Sequence, residues 1–145
     1  MLTDIQVVSR LLAAAALGGV IGFEREKHSR RMAGFRTHIL VSVGSALIML
    51  VSMHIFDIYT GKVAVDPARI AAGVVTGIGF LGAGTIIRSG ESVRGLTTAA
   101  SLWTVSGIGL AVGCGFYTAA CVTAAIAFAA LYFLRKIAID GEDNQ

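Results

Sequence analysis

The sequence predicts an all-α, polytopic membrane protein with five transmembrane helices. Of its 145 residues, 55% are hydrophobic and 14% are charged, and the mean hydropathy is +0.77. A soluble domain of this size would carry roughly a quarter charged residues. No charged residue falls between positions 70 and 87, or between 96 and 134. Apolar segments of this length are typical of membrane spans.

The five apolar segments and their short connections account for nearly the whole chain. Asp66 and Pro67 predict the start of the third helix, because Asp favours the N-cap and Pro the first helical position. We expect spans three and four to form a central hairpin about a charged loop at 88–95, with the other helices packed on it. One transmembrane domain, 1–139, precedes a polar tail at 140–145 that is expected to be disordered. The predicted spans are 5–23, 37–56, 70–87, 96–112 and 116–134.

The charges of the loops predict the orientation of the chain. Lys and Arg number five in the first loop (24–36), two in the third loop and two after span five, against three on the opposite side. Short loops rich in these residues face the cytoplasm. The N-terminus is therefore expected outside, and the C-terminus in the cytoplasm.

Small residues dominate span three and recur in other spans. Gly77, Gly79 and Gly82 match the dinucleotide-binding pattern G-x-G-x-x-G. They lie within a span, however, and no Asp or Glu follows at the required distance, so the dinucleotide-binding interpretation is rejected. They predict either close helix packing or a bent segment whose freed carbonyls line an ion site. Small-residue faces on spans one, three and five also predict a homo-oligomer, most simply a homodimer. The glycines are Gly77, Gly79, Gly82 and Gly84.

Two further features of the spans allow alternative interpretations. Thr97, Ser101 and Thr104 form a hydroxyl stripe on span four, with Thr98 beside it. Such hydroxyls predict hydrogen bonds to a neighbouring helix, with a pore lining as the alternative. Arg10 lies within span one, where it either reaches toward the membrane surface or faces the bundle interior with a partner.

The positions of the acidic residues and the absence of known motifs argue against a carboxylate-lined cation pathway, enzymatic catalysis and nucleic-acid binding. None of the nine Asp and Glu falls in the middle of a predicted span, which disfavours a carboxylate-lined Mg²⁺ pathway. The sequence contains no hydrolase, P-loop or zinc-protease motif, and no basic helix suited to nucleic acid. We therefore expect a protein that is not an enzyme, does not bind nucleic acid and carries no cofactor, with Mg²⁺ as a candidate ligand or signal.

Four segments combine into a specific pattern. They lie at 22–26, 33–38, 79–86 and 93–103, and contain G-F-x-R-E, A-G-x-R-T and G-L-T-T-A-A-S-x-W. In these segments the chain resembles the MgtC/SapB family of bacterial inner-membrane proteins, with a likeness extending from about Arg10 to Tyr117. It lacks the C-terminal cytoplasmic domain of long members, as expected either of a short form of that family or of a truncated chain.

The resemblance implies a role in membrane physiology. The family is associated with magnesium limitation and with virulence. A non-enzymatic regulator of ion homeostasis and membrane energetics is the expectation, with a membrane subunit of the ATP synthase as its implied partner. A transporter or channel for Mg²⁺ or another cation is the alternative.

The family segments also predict a cleft on the cytoplasmic side. Residues at the end of span one and the start of span two are expected to meet residues of the third loop and the start of span four. The predicted residues are Glu24, Arg25, Arg36, Thr37, Arg88, Arg94, Thr97, Thr98 and Ser101.

Overall fold

The computed structural model describes residues 2–27 and 33–142, with side chains described as far as residue 133. This part of the chain has an all-α, membrane-type fold with one short β-hairpin. The helices are α1 (Asp4–Lys27), α2 (Phe35–Tyr59), α3 (Ala68–Gly84), α4 (Leu96–Cys114) and α5 (Tyr117–Glu142), and the hairpin consists of β1 (Ile87–Ser89) and β2 (Ser92–Arg94).

The helices differ in how well their length suits a membrane span. In the described residues α1, α2 and α4 are each long and apolar enough to cross a bilayer. The 17-residue α3 and the segment Tyr117–Phe133 of α5 are apolar but shorter. A span needs about 20 residues, with about 17 as the lower limit. Helix α3 therefore lies at the lower limit, while α5 has 26 residues in all, of which the side chains are described as far as residue 133.

Of the two spans predicted to form the central hairpin, the fourth is central and the third is not. Helix α4 contacts each of the other four helices, whereas α3 lies at the edge and contacts α2 and α4. Only Ile78 and Gly82 of α3 are buried, against nine residues of α4. Helix α2 takes the place expected for α3, between α1 and α4.

Glycines on two different helices allow this close packing around α2. A Cβ atom added to Gly18 of α1 would lie 2.7 Å from the Cβ of Ser42, and one on Gly113 of α4 would lie 2.7 Å from the carbonyl oxygen of Ala46. A Cβ on Gly109 would overlap the backbone oxygen of Ser42. The small-residue face of α1 is therefore used inside the chain and is not available for an oligomer.

The connection between α3 and α4 departs from the predicted loop. Helix α3 ends at Gly84, not at residue 87, and an antiparallel hairpin follows, in which Ile87 pairs with Arg94 and Ser89 with Ser92. Gly90 has φ +61° in the two-residue turn. Glycine at the first central position suits a tight hairpin turn, so the Ser-Gly-Glu-Ser sequence at 89–92 was a usable signal.

The first loop is shorter than predicted because both flanking helices extend into it. Helix α1 continues through Glu24 and Arg25 to Lys27, and α2 begins at Phe35. The backbone N–H of Phe35 donates a 2.8 Å hydrogen bond to Oε2 of Glu26. A carboxylate at this position stabilises the start of α2. Residues 28–32 of this loop lie outside the described part of the chain.

The start of α3 follows the predicted pattern closely. Oδ1 of Asp66 accepts a 2.8 Å hydrogen bond from the N–H of Ala68, and Pro67 has helical dihedral angles. The hydroxyl of Ser52 donates to the carbonyl of Pro67, which attaches the start of α3 to α2.

The C-terminal end of α4 joins α5 through a tight turn, as predicted. Gly115 has φ +88°, the N–H of Phe116 bonds the carbonyl of Ala111, and the N–H of Gly115 bonds that of Val112. This pattern is a Schellman motif. Helix α5 continues to Glu142, so the first three residues of the predicted tail are helical, and residues 143–145 lie outside the described part.

Arg10 faces the bundle interior. Its Nη1 donates a 2.7 Å hydrogen bond to the carbonyl oxygen of Gly113, in the last turn of α4. A cation at the C-terminus of a helix interacts favourably with the exposed carbonyls and the helix dipole. Of the two interpretations of Arg10, the structure therefore supports the paired one.

Candidate functional site

Two residues expected in the first loop and on span four meet inside the helix bundle. Arg25, in the last turn of α1, is 1% exposed, and Thr98, in the first turn of α4, is 4% exposed. Nη2 of Arg25 donates a 2.5 Å hydrogen bond to Oγ1 of Thr98. Glu24 is buried beside Arg25 at the end of α1. A hydrogen bond with a charged partner is stronger than a neutral one, so this contact stabilises the crossing of α1 and α4.

His38 of α2 joins the same cluster and is fully buried. Its Nδ1 lies 2.8 Å from the carbonyl oxygen of Gly34, and its Nε2 lies 3.0 Å from Oγ of Ser101. Because a carbonyl oxygen only accepts, Nδ1 carries a proton. Ser101 therefore bonds across to α2, as the interhelical interpretation of the hydroxyl stripe predicts.

The hydroxyl of Ser101 can serve two states of the His38 ring. In the neutral ring Nε2 accepts a hydrogen bond from this hydroxyl. In the charged ring Nε2 donates, and the hydroxyl donates instead to the carbonyl oxygen of Thr98, 2.9 Å away. The remaining hydroxyls of the stripe behave differently, since Thr97 is exposed and Thr104 bonds the carbonyl of Ala100 in its own helix.

A cleft of about 790 Å³ opens next to this cluster, between the hairpin and the ends of α1 and α4. The cleft combines cationic, hydroxyl and apolar side chains. Its lining residues are Arg25, Ile87, Ser89, Ser92, Val93, Arg94, Gly95, Leu96, Thr97 and Thr98.

The predicted site is therefore assembled in part. Arg25, Arg94, Thr97 and Thr98 share the cleft, and Ser101 lies one turn behind it. Arg36 and Thr37 are exposed near the start of α2 and do not line the cleft. Arg88 is also exposed, and its Nε contacts the carbonyl oxygen of Gly90 in the turn.

The glycines of α3 stand apart from the cluster. An added Cβ on Gly77, Gly79 or Gly84 would meet no atom within 4 Å, and one on Gly82 would make ordinary contact with Ala99 at 3.5 Å. The helix is continuous from Ala68 to Gly84, so no bend or unwound segment occurs at Gly77, Gly79 or Gly82, and Gly84 is its last residue. Within the described part of the chain, Gly77, Gly79 and Gly84 therefore pack closely against no other helix, and the predicted close helix packing stays a prediction for contacts with another chain.

His38 is the functional candidate that the sequence argument left without a role. It stands one turn into an apolar helix and at the end of the 33–38 segment that carries the family resemblance. An ionisable side chain at such a depth needs a partner inside the protein. The depth of His38 in the second span and its place in a family segment could have identified it from the sequence.

The described residues hold no group of three His, Cys, Asp or Glu side chains close enough to bind a metal ion. The cluster is instead held by hydroxyls, a guanidinium, an imidazole and backbone carbonyls. Its chemistry suits hydrogen bonding between helices and, on the cleft side, recognition of hydrogen-bond acceptors.

Comparison with known proteins gives a consistent result over most of the chain. The chain is 46% identical over 114 residues to "Putative magnesium transporter YhiD" of Escherichia coli (strain K12), covering 77% of the chain and 53% of the relative. It is 46% identical over 132 residues to "Protein MgtC" of Salmonella typhimurium (strain LT2), covering 90% of the chain and 53% of the relative. With "Protein MgtC" of Brucella abortus (strain 2308), identity is 43% over 129 residues, which cover 88% of the chain and 50% of the relative.

These relatives are longer proteins, and the chain spans about half the length of the curated relatives it matches. No solved structure matches the chain at a significant level. The family model described as "MgtC family" matches residues 11–139, which include every helix and the hairpin in whole or large part. The chain belongs to the MgtC family.

Proposed function

We propose that this chain is a non-enzymatic, multi-pass protein of the bacterial inner membrane that regulates ion homeostasis and membrane energetics under magnesium limitation. It acts by docking on another membrane protein, and the family resemblance indicates a membrane subunit of the ATP synthase. The loop charges support an orientation with the N-terminus outside and the hairpin and C-terminus in the cytoplasm.

The observation that carries this proposal is the open face of α3. Gly73, Gly77 and Gly84 have open space at the Cβ position, while the glycines of α1 and α4 that face α2 are closely packed. Phe80, on the same side, is 81% exposed. Glycine faces let helix backbones approach closely in lipid, where no hydrophobic force presses helices together. An apolar helix with such a face left open is suited to a partner helix, either of the regulated protein or of a second copy in a homodimer.

The alternative function, transport of Mg²⁺ or another cation, has the printed name of one relative in its favour. The route considered for it ran past carbonyls of the α3 glycines and the hydroxyls of Thr97, Ser101 and Thr104. In the structure these carbonyls belong to a continuous helix, and Ser101 and Thr104 bond His38 and Ala100. This arrangement supports the regulatory function over that route.

The test compares Gly77→Leu with Gly44→Leu. Both glycines have open space for a side chain, but Gly44 lies on α2, near the exposed Leu40 and Leu47. We expect both variants to fold and insert. Gly77→Leu should lose co-purification with the ATP synthase membrane subunit and reduce dimer content in native mass spectrometry, whereas Gly44→Leu should behave as the unmodified chain.

Purified protein in liposomes supplies the second half of the test, with fluorescent indicators for Mg²⁺, K⁺ and protons. No saturable flux is expected from the chain alone. Saturable cation flux that is lost in Thr97→Ala and Ser101→Ala variants would overturn the regulatory function in favour of transport. Equal co-purification by both glycine variants would reject the α3 face as the docking surface.

A further inference from the structure

The β-hairpin places one arginine on each of its two faces. In a two-stranded antiparallel ladder, directly paired residues point to the same side and alternate positions point to opposite sides. Ile87 pairs with Arg94 and Ser89 with Ser92, and all four line the cleft. Arg88 and its partner Val93 occupy the alternate positions; Val93 also borders the cleft, whereas Arg88 is not among the residues that line it.

The cleft collects positive charge and hydrogen-bond donors. Arg94 comes from the hairpin and Arg25 from the end of α1, so two different elements bring a guanidinium to one cavity. The hydroxyls of Ser89 and Thr97 add donors around them, while the hydroxyl of Ser92 donates to the carbonyl oxygen of Ser89, 3.2 Å away. None of the described residues that line the cleft is acidic.

The N-terminus of α4 adds a partial positive charge to those of the two arginines. Gly95 occupies the N-cap and offers no side chain to the first-turn amides, and the first bond of the helix runs from the N–H of Ala99 to the carbonyl of Gly95. The amides before Ala99 have no carbonyl of a preceding turn to bond. Residues 95–98 all line the cleft, so the positive end of the 19-residue helix faces it.

The cleft is formed in advance of any ligand. Gly95 has φ +92°, and a Cβ at this position would overlap the carbonyl oxygen of Thr85, so only glycine lets the hairpin close against the end of α3. Arg25 is held by its bond to Thr98. Because Arg25 and the amides of α4 are already positioned, binding requires ordering mainly of exposed side chains such as Arg94.

We propose that this cleft binds a phosphate group of an anionic molecule. Arginines together with a helix N-terminus favour phosphate, because guanidinium groups and backbone amides match its oxygens. A cleft of about 790 Å³ exceeds the size of a single anion, and Ile87, Val93 and Leu96 supply apolar contacts for the rest of the molecule. The phosphate belongs either to a lipid headgroup or to a soluble metabolite. This inference holds whether the protein regulates a partner or transports an ion.

The experiment uses the two arginines of the hairpin as a matched pair. Arg94→Gln changes the cleft face, and Arg88→Gln changes the opposite face of the same exposed hairpin. The purified full chain in neutral detergent is titrated with phosphatidylglycerol, with phosphatidylcholine as the zwitterionic control, and separately with inorganic phosphate and ATP at constant ionic strength. Dissociation constants are measured by a thermal-shift assay and by native mass spectrometry.

We expect at least one anionic probe to bind, with a dissociation constant raised about tenfold in Arg94→Gln and unchanged within about twofold in Arg88→Gln. Binding of phosphatidylglycerol alone identifies a lipid headgroup, and binding of phosphate or ATP identifies a soluble ligand. The proposal is overturned if no probe binds, if Arg94→Gln binds as tightly as the unmodified chain, or if both variants weaken binding equally. Because Gly77→Leu leaves the cleft unchanged, it should retain this binding even if it loses its membrane partner.

Discussion

The glycines that enclose α2 and the glycines of α3 have the same chemistry and opposite surroundings. Around α2, Gly18, Gly109 and Gly113 meet backbone or Cβ atoms of the facing helix so closely that no side chain would fit. On α3, Gly73 and Gly77 are spaced like a helix-packing motif but face open space. Glycine spacing in a membrane helix therefore indicates a surface able to pack closely, and the rest of the chain decides whether that surface is filled.

The closed interfaces around α2 and the open face of α3 are expected to serve different purposes, the first for stability of the fold and the second for association. The buried polar cluster of Arg25, His38, Thr98 and Ser101 lies between α1, α2 and α4, at the closed interfaces. Helix α3 contributes no member to it. Changes at the closed interfaces are therefore expected to affect folding, and changes on α3 to affect association.

The largest effect is expected for Gly109→Leu, compared with Gly107→Leu on the same helix. A side chain at Gly109 would collide with the backbone of Ser42, whereas Gly107 has open space. Because backbone cannot move aside without separating α2 from α4, the free energy of unfolding should fall by about 3 kcal/mol or more. Denaturation in mixed micelles with increasing SDS measures this. Equal loss in both variants would mean that the closed interface does not limit packing.

A smaller effect is expected for Thr98→Val, compared with Thr97→Val. Valine keeps the shape of Thr98 but removes the hydroxyl that accepts from the buried Arg25. The lost bond involves a charged group, so the free energy of unfolding should fall by about 1.5–3 kcal/mol. Thr97 is exposed, and its change should stay within about 0.5 kcal/mol. The same SDS titration checks both, and a neutral Thr98→Val would remove the energetic case for the cluster.

The smallest expected change in the free energy of unfolding is a gain, and it concerns Gly77. Gly77→Ala adds a methyl group into open space in a helix, so it should stabilise the fold by about 0.5–1 kcal/mol through reduced backbone freedom of the unfolded chain. Gly113→Ala, whose Cβ would lie 2.7 Å from the oxygen of Ala46, should destabilise it. Melting temperatures of the two variants in detergent provide the measurement. A loss of stability in Gly77→Ala would show that α3 is packed after all.

Much of the site could be predicted from residue patterns, and the omissions have physical reasons. Arg25, Arg94, Thr97 and Thr98 were expected to meet because both segments sit at span ends on one side, and the structure brings them to one cleft. Arg36 and Thr37 were expected beside them, but helical periodicity turns them outward while it turns His38 inward. The hairpin was read as a loop because its two strands are only three residues long.

The sequence by itself determined the class of the protein and the approximate helices, and its loop charges give the predicted orientation. These follow from local properties, because the cost of burying charge in lipid and the length of an apolar helix act on each segment separately. Only the tertiary structure decided that α2 and α4 form the centre, that Arg10 pairs with the end of α4, and that α3 leaves its glycines open. Helix packing in lipid depends on which backbones fit against each other, and several helices here carry small residues at suitable spacing. The choice among them is a property of the whole bundle.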